Sequence, residues 1–250
     1  MLKKIKPLLD AAAETGWVME PDAKKILAIA GIDVPESAYC RRLDQALSFA
    51  GTNGFPVAAK VVSPEIIHKS DVDGVVVGIE DKAALEKVFD RFSRMDGFTG
   101  VHVEEMVAGA ELIVGAKTDY QFGPVVMLGI GGTGVEIYRD TAIKMAPLKK
   151  ADVIAMISSL TAKELIQGYR GSEAVNIGKL VGLMIGFSEM VMEIGDRIES
   201  IDLNPVMCSA DRCVVADARI ILPGGLDGGI STIDQDRDTS NTCITSEGLL

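Results

Sequence analysis

The stretch RIESIDLNPV, followed by VVADARI, sets Asp202, Asn204 and Asp217 on two expected strands late in the chain. Asp202 and Asn204 are two residues apart, so on a strand both side chains point to one face. Pro205 lacks the N–H that a ladder needs and is expected to stop the strand from continuing as a central one. Carboxylate and amide oxygens presented together suit Mg2+, a hard cation that keeps several waters and is often shared with phosphates. Such residues point toward nucleoside triphosphate chemistry, and other parts of the chain should then hold the phosphates, sugar and base.

Lys60 lies in PVAAKVV, among small and branched apolar residues. A lysine in a buried strand needs an anionic partner. A phosphate oxygen is one; an edge-strand position that lets the stem reach solvent is the other reading. SPEIIHKSDVDGV follows, with His68 and Lys69 in a loop between two expected strands. A loop histidine can be a plain surface residue, or a nucleophile that accepts a phosphoryl group. VEEMVAGAEL holds Glu104, Glu105 and Glu111. Strand parity lets only one of Glu104 and Glu105 face a given pocket. Backbone groups near Val107 could read an adenine edge, and Glu111 a ribose, or these could be solvated acids on a hairpin. GIGGTGVEIYRD clusters Gly129, Gly131, Gly132 and Gly134, with Arg139 and Lys144 downstream as possible charge partners. No Gly-Lys-Ser/Thr follows, so it is not a P-loop. The glycines either let backbone approach phosphates or make a hairpin turn.

The elements that must position these residues follow from periodicity. Helices are expected near the N-terminus, at about 22–30 with Pro21 in the first turn and Gly31 as a stop, and over LDQALSFAG. FPVAAKVV and VDGVVVGIE read as paired strands. DKAALEKVFDRFSRM has Leu85, Val88, Phe89 and Phe92 at helical spacing with Asp81 as its cap. VHVEEMV, AELIVGAKTD and GPVVMLGI are strands; two or three helices lie between Lys149 and Ile194; RIESIDLN and CVVADARI close the ordered part. The class is α+β, with two sheet-bearing lobes meeting near residue 107 and a nucleotide-sized cleft between them. The expected division is an N-terminal helix at 1–19, lobes at 20–107 and 108–222, and a flexible tail at 223–250 that lacks aromatic residues and apolar period.

Composition narrows the partners. A net charge of −11 argues against a broad nucleic-acid surface. No apolar run approaches the about 20 residues that span a bilayer. The N-terminus turns polar after Leu9 and reads as a helix, not a leader. Cys40, Cys208, Cys213 and Cys243 show no metal spacing and read as free thiols of a cytoplasmic protein, although Cys208 and Cys213 could face each other across a hairpin.

Taken in order, GFPVAAKVVSPEIIHKSDVDGV, VEEMVAGAELIVGAKTDYQFGPVVMLGIGGTGVEIYRD, GYRG, IDLNPV and VVADARI resemble an ATP-grasp fold. Over roughly residues 20–222 the chain closely resembles the beta subunit of ADP-forming acyl-CoA (acetyl-CoA) synthetase, and more distantly that of succinyl-CoA synthetase. The resemblance implies that Lys60, with Lys69, holds nucleotide phosphates. It implies adenine binding near Glu105 and Val107, ribose binding by Glu111, phosphate approach at Gly131 and Gly132, and Mg2+ ligands in Asn204 and Asp217. His68 would relay the phosphoryl group to or from ADP/ATP, with Asp202 steadying the phosphohistidine. Three positions depart from the family pattern: Asp73-Gly74 replaces a Gly-Gly pair, AGAEL is one residue short, and Asn176 stands where Asp is usual.

The implied reaction is acyl-CoA + ADP + phosphate to acid + CoA + ATP. It needs an alpha subunit that carries the CoA-binding and ligase domains, and hence a hetero-oligomer. Other readings are the ATP-grasp part of a fused synthetase or acetyltransferase, another ATP-grasp ligase that leaves His68 without a task, and a non-catalytic nucleotide sensor.

Overall fold

The computed structural model describes residues 1–132, 140–169 and 171–225. In chain order the elements are α1 (Leu2–Ala11), β1 (Trp17–Val18), α2 (Glu20–Ile29), β2 (Ser37–Cys40), α3 (Leu43–Asn53), β3 (Val57–Val62), β4 (Val75–Ile79), α4 (Lys82–Phe92), β5 (Gly100–Glu105), β6 (Ala110–Asp119), β7 (Gly123–Ile130), β8 (Thr141–Met145), α5 (Lys150–Ser159), α6 (Glu164–Gln167), α7 (Ile177–Ile194), β9 (Ser200–Cys208), β10 (Cys213–Val215) and β11 (Ala218–Ile221).

The strands form two sheets, of order β2-β5-β3-β4 and β1-β11-β9-β6-β7-β8, with β10 also paired to β9. All these pairings are antiparallel. In the smaller sheet, alternation gives two unlike faces. Val57, Ala59, Val61, Val101 and Val103 join a core with Ala46 and Ala50 of α3 and Leu85, Phe89 and Phe92 of α4. Each fully buried Leu or Phe there contributes about 2 kcal/mol. The opposite face carries Ala58 and Lys60 of β3 beside Glu104 and His102 of β5. Asp81 caps α4 as expected, accepting from the Ala84 amide at 2.8 Å. Asn176 caps α7, accepting from the Lys179 amide at 3.1 Å and donating through Nδ2 to the Ala210 carbonyl at 3.0 Å. An aspartate there would lack the second bond.

Several expectations change. The helix at 22–30, expected within the first lobe, starts at Glu20 and packs Ala23, Ile26 and Leu27 into the core of the larger sheet. The cause is β1, which pairs Trp17 and Val18 with Ile221 and Ile220 and so ties the N-terminal chain to that sheet. The smaller sheet therefore begins at Ser37. Pro205 does not end its strand. β9 runs to Cys208, because Asn204 and Pro205 lie at a bulge opposite Ile113 and the outer partner changes there from β11 to β10. CVVADARI is correspondingly two strands broken at Ala216 and Asp217. Gly134, Arg139 and the tail beyond Gly225 lie outside the described residues.

Candidate active site

The polar face of the smaller sheet looks toward the start of α2. Lys60 stands on β3, an interior strand, and is 6% exposed, which removes the solvent-reaching reading. Its Nζ meets Glu20 Oε1 at 2.6 Å and Glu104 Oε2 at 3.2 Å, and donates to the Ala216 carbonyl. Lys24, one turn after Glu20, pairs with Glu104, lies 3.1 Å from Glu20 Oε1 and donates to the Ala216 carbonyl at 2.7 Å. Lys69 Nζ comes in from the loop, 3.0 Å from Glu20 Oε2 and 3.4 Å from Asp217 Oδ1. His102 Nδ1 is 2.9 Å from Glu104 Oε1. The Glu20 Oε2 and His102 Nδ1 contacts lie at ion-pair distance but lack hydrogen-bond geometry.

Three ammonium groups thus face Glu20 and Glu104 in a nearly dry space, with Asp217 at its open edge, and an unpaired charge inside would be costly. Burial opposes charge on Glu20, yet Lys60, Lys24 and Lys69 hold it well below the usual range. Burial also opposes charge on Glu104, but Lys60, Lys24 and the adjoining His102 ring hold its pKa at about 2. Lys60 and Lys69 resist burial through Glu20 first, then Asp217 and, for Lys60, Glu104, and both rise above the normal lysine value.

Beside this cluster lies a cleft of about 180 Å³, lined by His68, Lys69, Asp202, Asn204, Asp217 and Arg219 among others. His68 and Lys69 start a short 3-10 turn in the β3–β4 loop. Backbone bonds from Val61 to Gly74 at 2.8 Å and from Gly74 to Lys69 at 2.7 Å close that loop. Asp73 holds φ +54°, and its carbonyl accepts from Arg91 at 2.9 Å. Asn204 and Asp217 come together because the Asn204 amide donates to the Asp217 carbonyl at 3.2 Å, across the break between β10 and β11. Burial and the nearby Glu20 push the Asp217 carboxyl up, against Lys60 and Lys69. Burial likewise raises Asp202, against the pull of Arg219.

Hard oxygen donors on a cleft wall, two of them carboxylates raised chiefly by partial burial, fit Mg2+ chemistry. Asn204 and Asp217 are the side chains that would hold it. Glu20, His102 and Glu104 also bring possible ligand atoms together. That group is already neutralised by Lys24 and Lys60, so a divalent ion has no charge to satisfy there.

A second cavity, about 410 Å³, opens where residues 106–109 link the two sheets. Ala108–Leu112, Ile130, Gly131 and Cys208 are among the residues that line it. Gly131 donates to the Glu111 carbonyl at 2.7 Å, and a Cβ on Gly131 would lie 2.8 Å from that backbone. Gly132 stands against the Glu111 carboxylate. Gly109 takes φ +150° with the Cys208 backbone where a Cβ would be, so the link requires glycine. Val107 lies on the link. Glu105 does not offer its carboxylate here: Oε1 accepts from Arg212 Nη2 at 2.5 Å and from the Glu36 amide at 3.2 Å. Parity thus sends Glu104 to the lysines and Glu105 to Arg212.

Sequence reasoning missed Glu20, Lys24 and Arg219 and set His102 aside. Glu20 and Lys24 have the spacing of a routine surface pair. Arg219 had a usable signal, since it shares strand parity with Asp217. Lys144 stands on β8 opposite Val126 and lines neither cavity. Cys208 and Cys213 do oppose each other across a hairpin, as buried free thiols.

Comparison with known proteins gives the family of the chain. Residues 10–222 match the ATP-grasp domain family. The chain is 39% identical over 220 residues to the beta subunit of acetate–CoA ligase [ADP-forming] I of Pyrococcus furiosus, covering 85% of this chain and 94% of that one. It is 32% identical to acetate–CoA ligase [ADP-forming] I of Archaeoglobus fulgidus, covering 88% of this chain but 33% of that longer one. Its structure is similar, at TM-score 0.77 and 36% identity, to an acetyl-coenzyme A synthetase 1 of Ca. Korarchaeum cryptofilum, covering 87% of this chain and 99% of that one. That protein was solved with coenzyme A and Mg-AMPPCP, its phosphohistidine segment pointing towards the nucleotide binding site.

Proposed function

Since the chain belongs to the ATP-grasp family, we propose that it is the nucleotide-binding beta subunit of an ADP-forming acyl-CoA synthetase, relaying phosphate through His68. The observation that carries this is one cleft uniting a loop histidine, Lys69, Asn204 and Asp217. The base and ribose occupy the cavity beside Val107, with Glu111 toward the ribose hydroxyls and Gly131 and Gly132 letting the chain pass close. The phosphates run along β9 toward Asn204, which is four residues, or roughly 13 Å, from Cys208 on the cavity wall. Lys69, on the cleft wall, meets the phosphates. Lys60, behind it, fixes Glu20 and Glu104 so that Lys69 and Asp217 keep their places.

Phosphoryl transfer asks for in-line positioning and neutralised charge more than for covalent help. Lys69 and Asp217 set the charge balance of the cleft, and the loop presents His68 at its mouth. Mg2+, when bound at Asn204 and Asp217, shares the phosphate charge. The acyl-CoA chemistry falls to an alpha subunit, as the longer relative that carries both parts in one chain supports. Free buried thiols and the lack, among the described residues, of a helix able to cross a membrane suit work in the cytoplasm.

The test is incubation with gamma-labelled ATP and Mg2+, with and without a cognate alpha subunit. Acid-labile, base-stable label on His68 is expected. ATP binding without phosphohistidine in either case would sink the relay and leave a nucleotide sensor.

A further inference from the structure

Arg219 on β11 opposes Asp202 on β9, so the two side chains share the sheet face that bears the cleft. The guanidinium reaches beyond that carboxylate to the histidine. Its Nη1 lies 3.1 Å from His68 Nε2 and 3.3 Å from Nδ1, while Nη2 lies 3.5 Å from Asp202 Oδ2. Nη1 is nearly equidistant from the two ring nitrogens, so the guanidinium rests against the imidazole and fixes how the ring sits in the cleft. An imidazole attacks phosphorus through its unprotonated ring nitrogen.

Asp202 is poorly suited to steady a phosphorylated histidine through the phosphoryl group, since both are anions. Arg219 stands between and removes the conflict. It offers a planar fork matched to phosphate oxygens.

We infer that Arg219 orients His68 for attack and then receives the phosphoryl oxygens of phospho-His68, with Asp202 holding the guanidinium in place. This rests on the relay reading above. In the transfer to His68, the P–O bond to the departing ADP breaks and leaves its electron pair on the diphosphate oxygen. A P–N bond forms from the ring lone pair. The other ring nitrogen keeps its proton, so no proton or redox partner enters from outside. Arg219 passes from the ring to the phosphoryl oxygens and keeps its charge throughout.

The experiment compares the full chain with Arg219→Ala and Arg219→Lys, measuring the rate of acid-labile labelling from gamma-labelled ATP with Mg2+, and ATP affinity separately. Arg219→Ala should label about 100-fold more slowly, as when one aimed donor is lost, with ATP affinity within about threefold. Arg219→Lys should recover part of the rate, because it restores charge without the fork. Labelling of Arg219→Ala at the unmodified rate overturns the inference and leaves the relay standing. Parallel loss of ATP affinity and labelling makes the residue structural and also overturns it. An unmodified chain that binds ATP and never labels removes the relay itself, and this role with it.

Discussion

Lys60 of the smaller sheet and Glu20 of α2 meet at 2.6 Å, joining the polar face of one sheet to a helix packed on the other. The pair is buried at both ends. Cutting it should cost more than it contributes, because the partners stay buried and lose their countercharge. Lys60→Met is expected to destabilise the fold by about 3–5 kcal/mol, read from urea unfolding. A change under about 1 kcal/mol would show that Lys24 and Lys69 alone satisfy Glu20 and Glu104.

The same cluster sets an acid limit. Glu104 moves from its ordinary 4.5 to about 2 on folding. A lowered carboxyl binds protons less well when folded, so its contribution is full above pH 4.5 and is lost as the pH falls toward 2. Asp202 and Asp217 act in the opposite sense: both sit above their ordinary 3.8, so their protonation in acid favours the fold. Glu20, also held well below its ordinary value, adds to that fall, so unfolding free energy should drop across the Glu104 window with the two aspartates offsetting part of it. Glu104→Gln should flatten the slope between pH 5 and 3; an unchanged slope places the acid-sensitive group elsewhere.

Asp217→Asn should weaken Mg2+-dependent ATP binding by at least about tenfold while metal-free binding changes little. Titration calorimetry with and without Mg2+ separates the two. An unchanged metal requirement would move the ion away from the β10–β11 break.

His68→Ala should abolish phosphoryl labelling and overall acyl-CoA turnover with ATP affinity kept within about twofold, since the ring meets Arg219 at the cleft mouth. Large loss of ATP binding would give the residue a structural task.

Gly109→Ala forces a Cβ to within 2.3 Å of the Cys208 carbonyl at φ +150°. The link between the sheets must then shift, at a cost of about 1–3 kcal/mol for the backbone alone. A lower melting temperature together with weaker ATP binding is expected. An unaltered ATP affinity would detach the second cavity from nucleotide binding.

Local patterns in the chain were enough for the strands that alternate or run apolar, the helix over LDQALSFAG and the Asp81-capped helix after β4. They also marked His68, Lys69, Asn204 and Asp217 as chemistry-bearing residues, because each of those signals lives within a few positions of the chain. Other features had no local trace. The two-residue β1 is too short to carry a period, yet it decides which core receives α2. Pro205 read as a stop because the bulge that seats it, and the change of outer partner from β11 to β10, depend on neighbouring strands that one strand's sequence does not show. Lys60 asked for an anion, and only the fold shows that protein carboxylates answer first. Arg219 meets His68 across 151 positions of chain. Residue types and strand parity determine what a side chain can do and which face it takes; the pairing of β9 with β11, and of α2 with the larger sheet, decides whom it meets, because those contacts are set by packing between segments far apart in sequence.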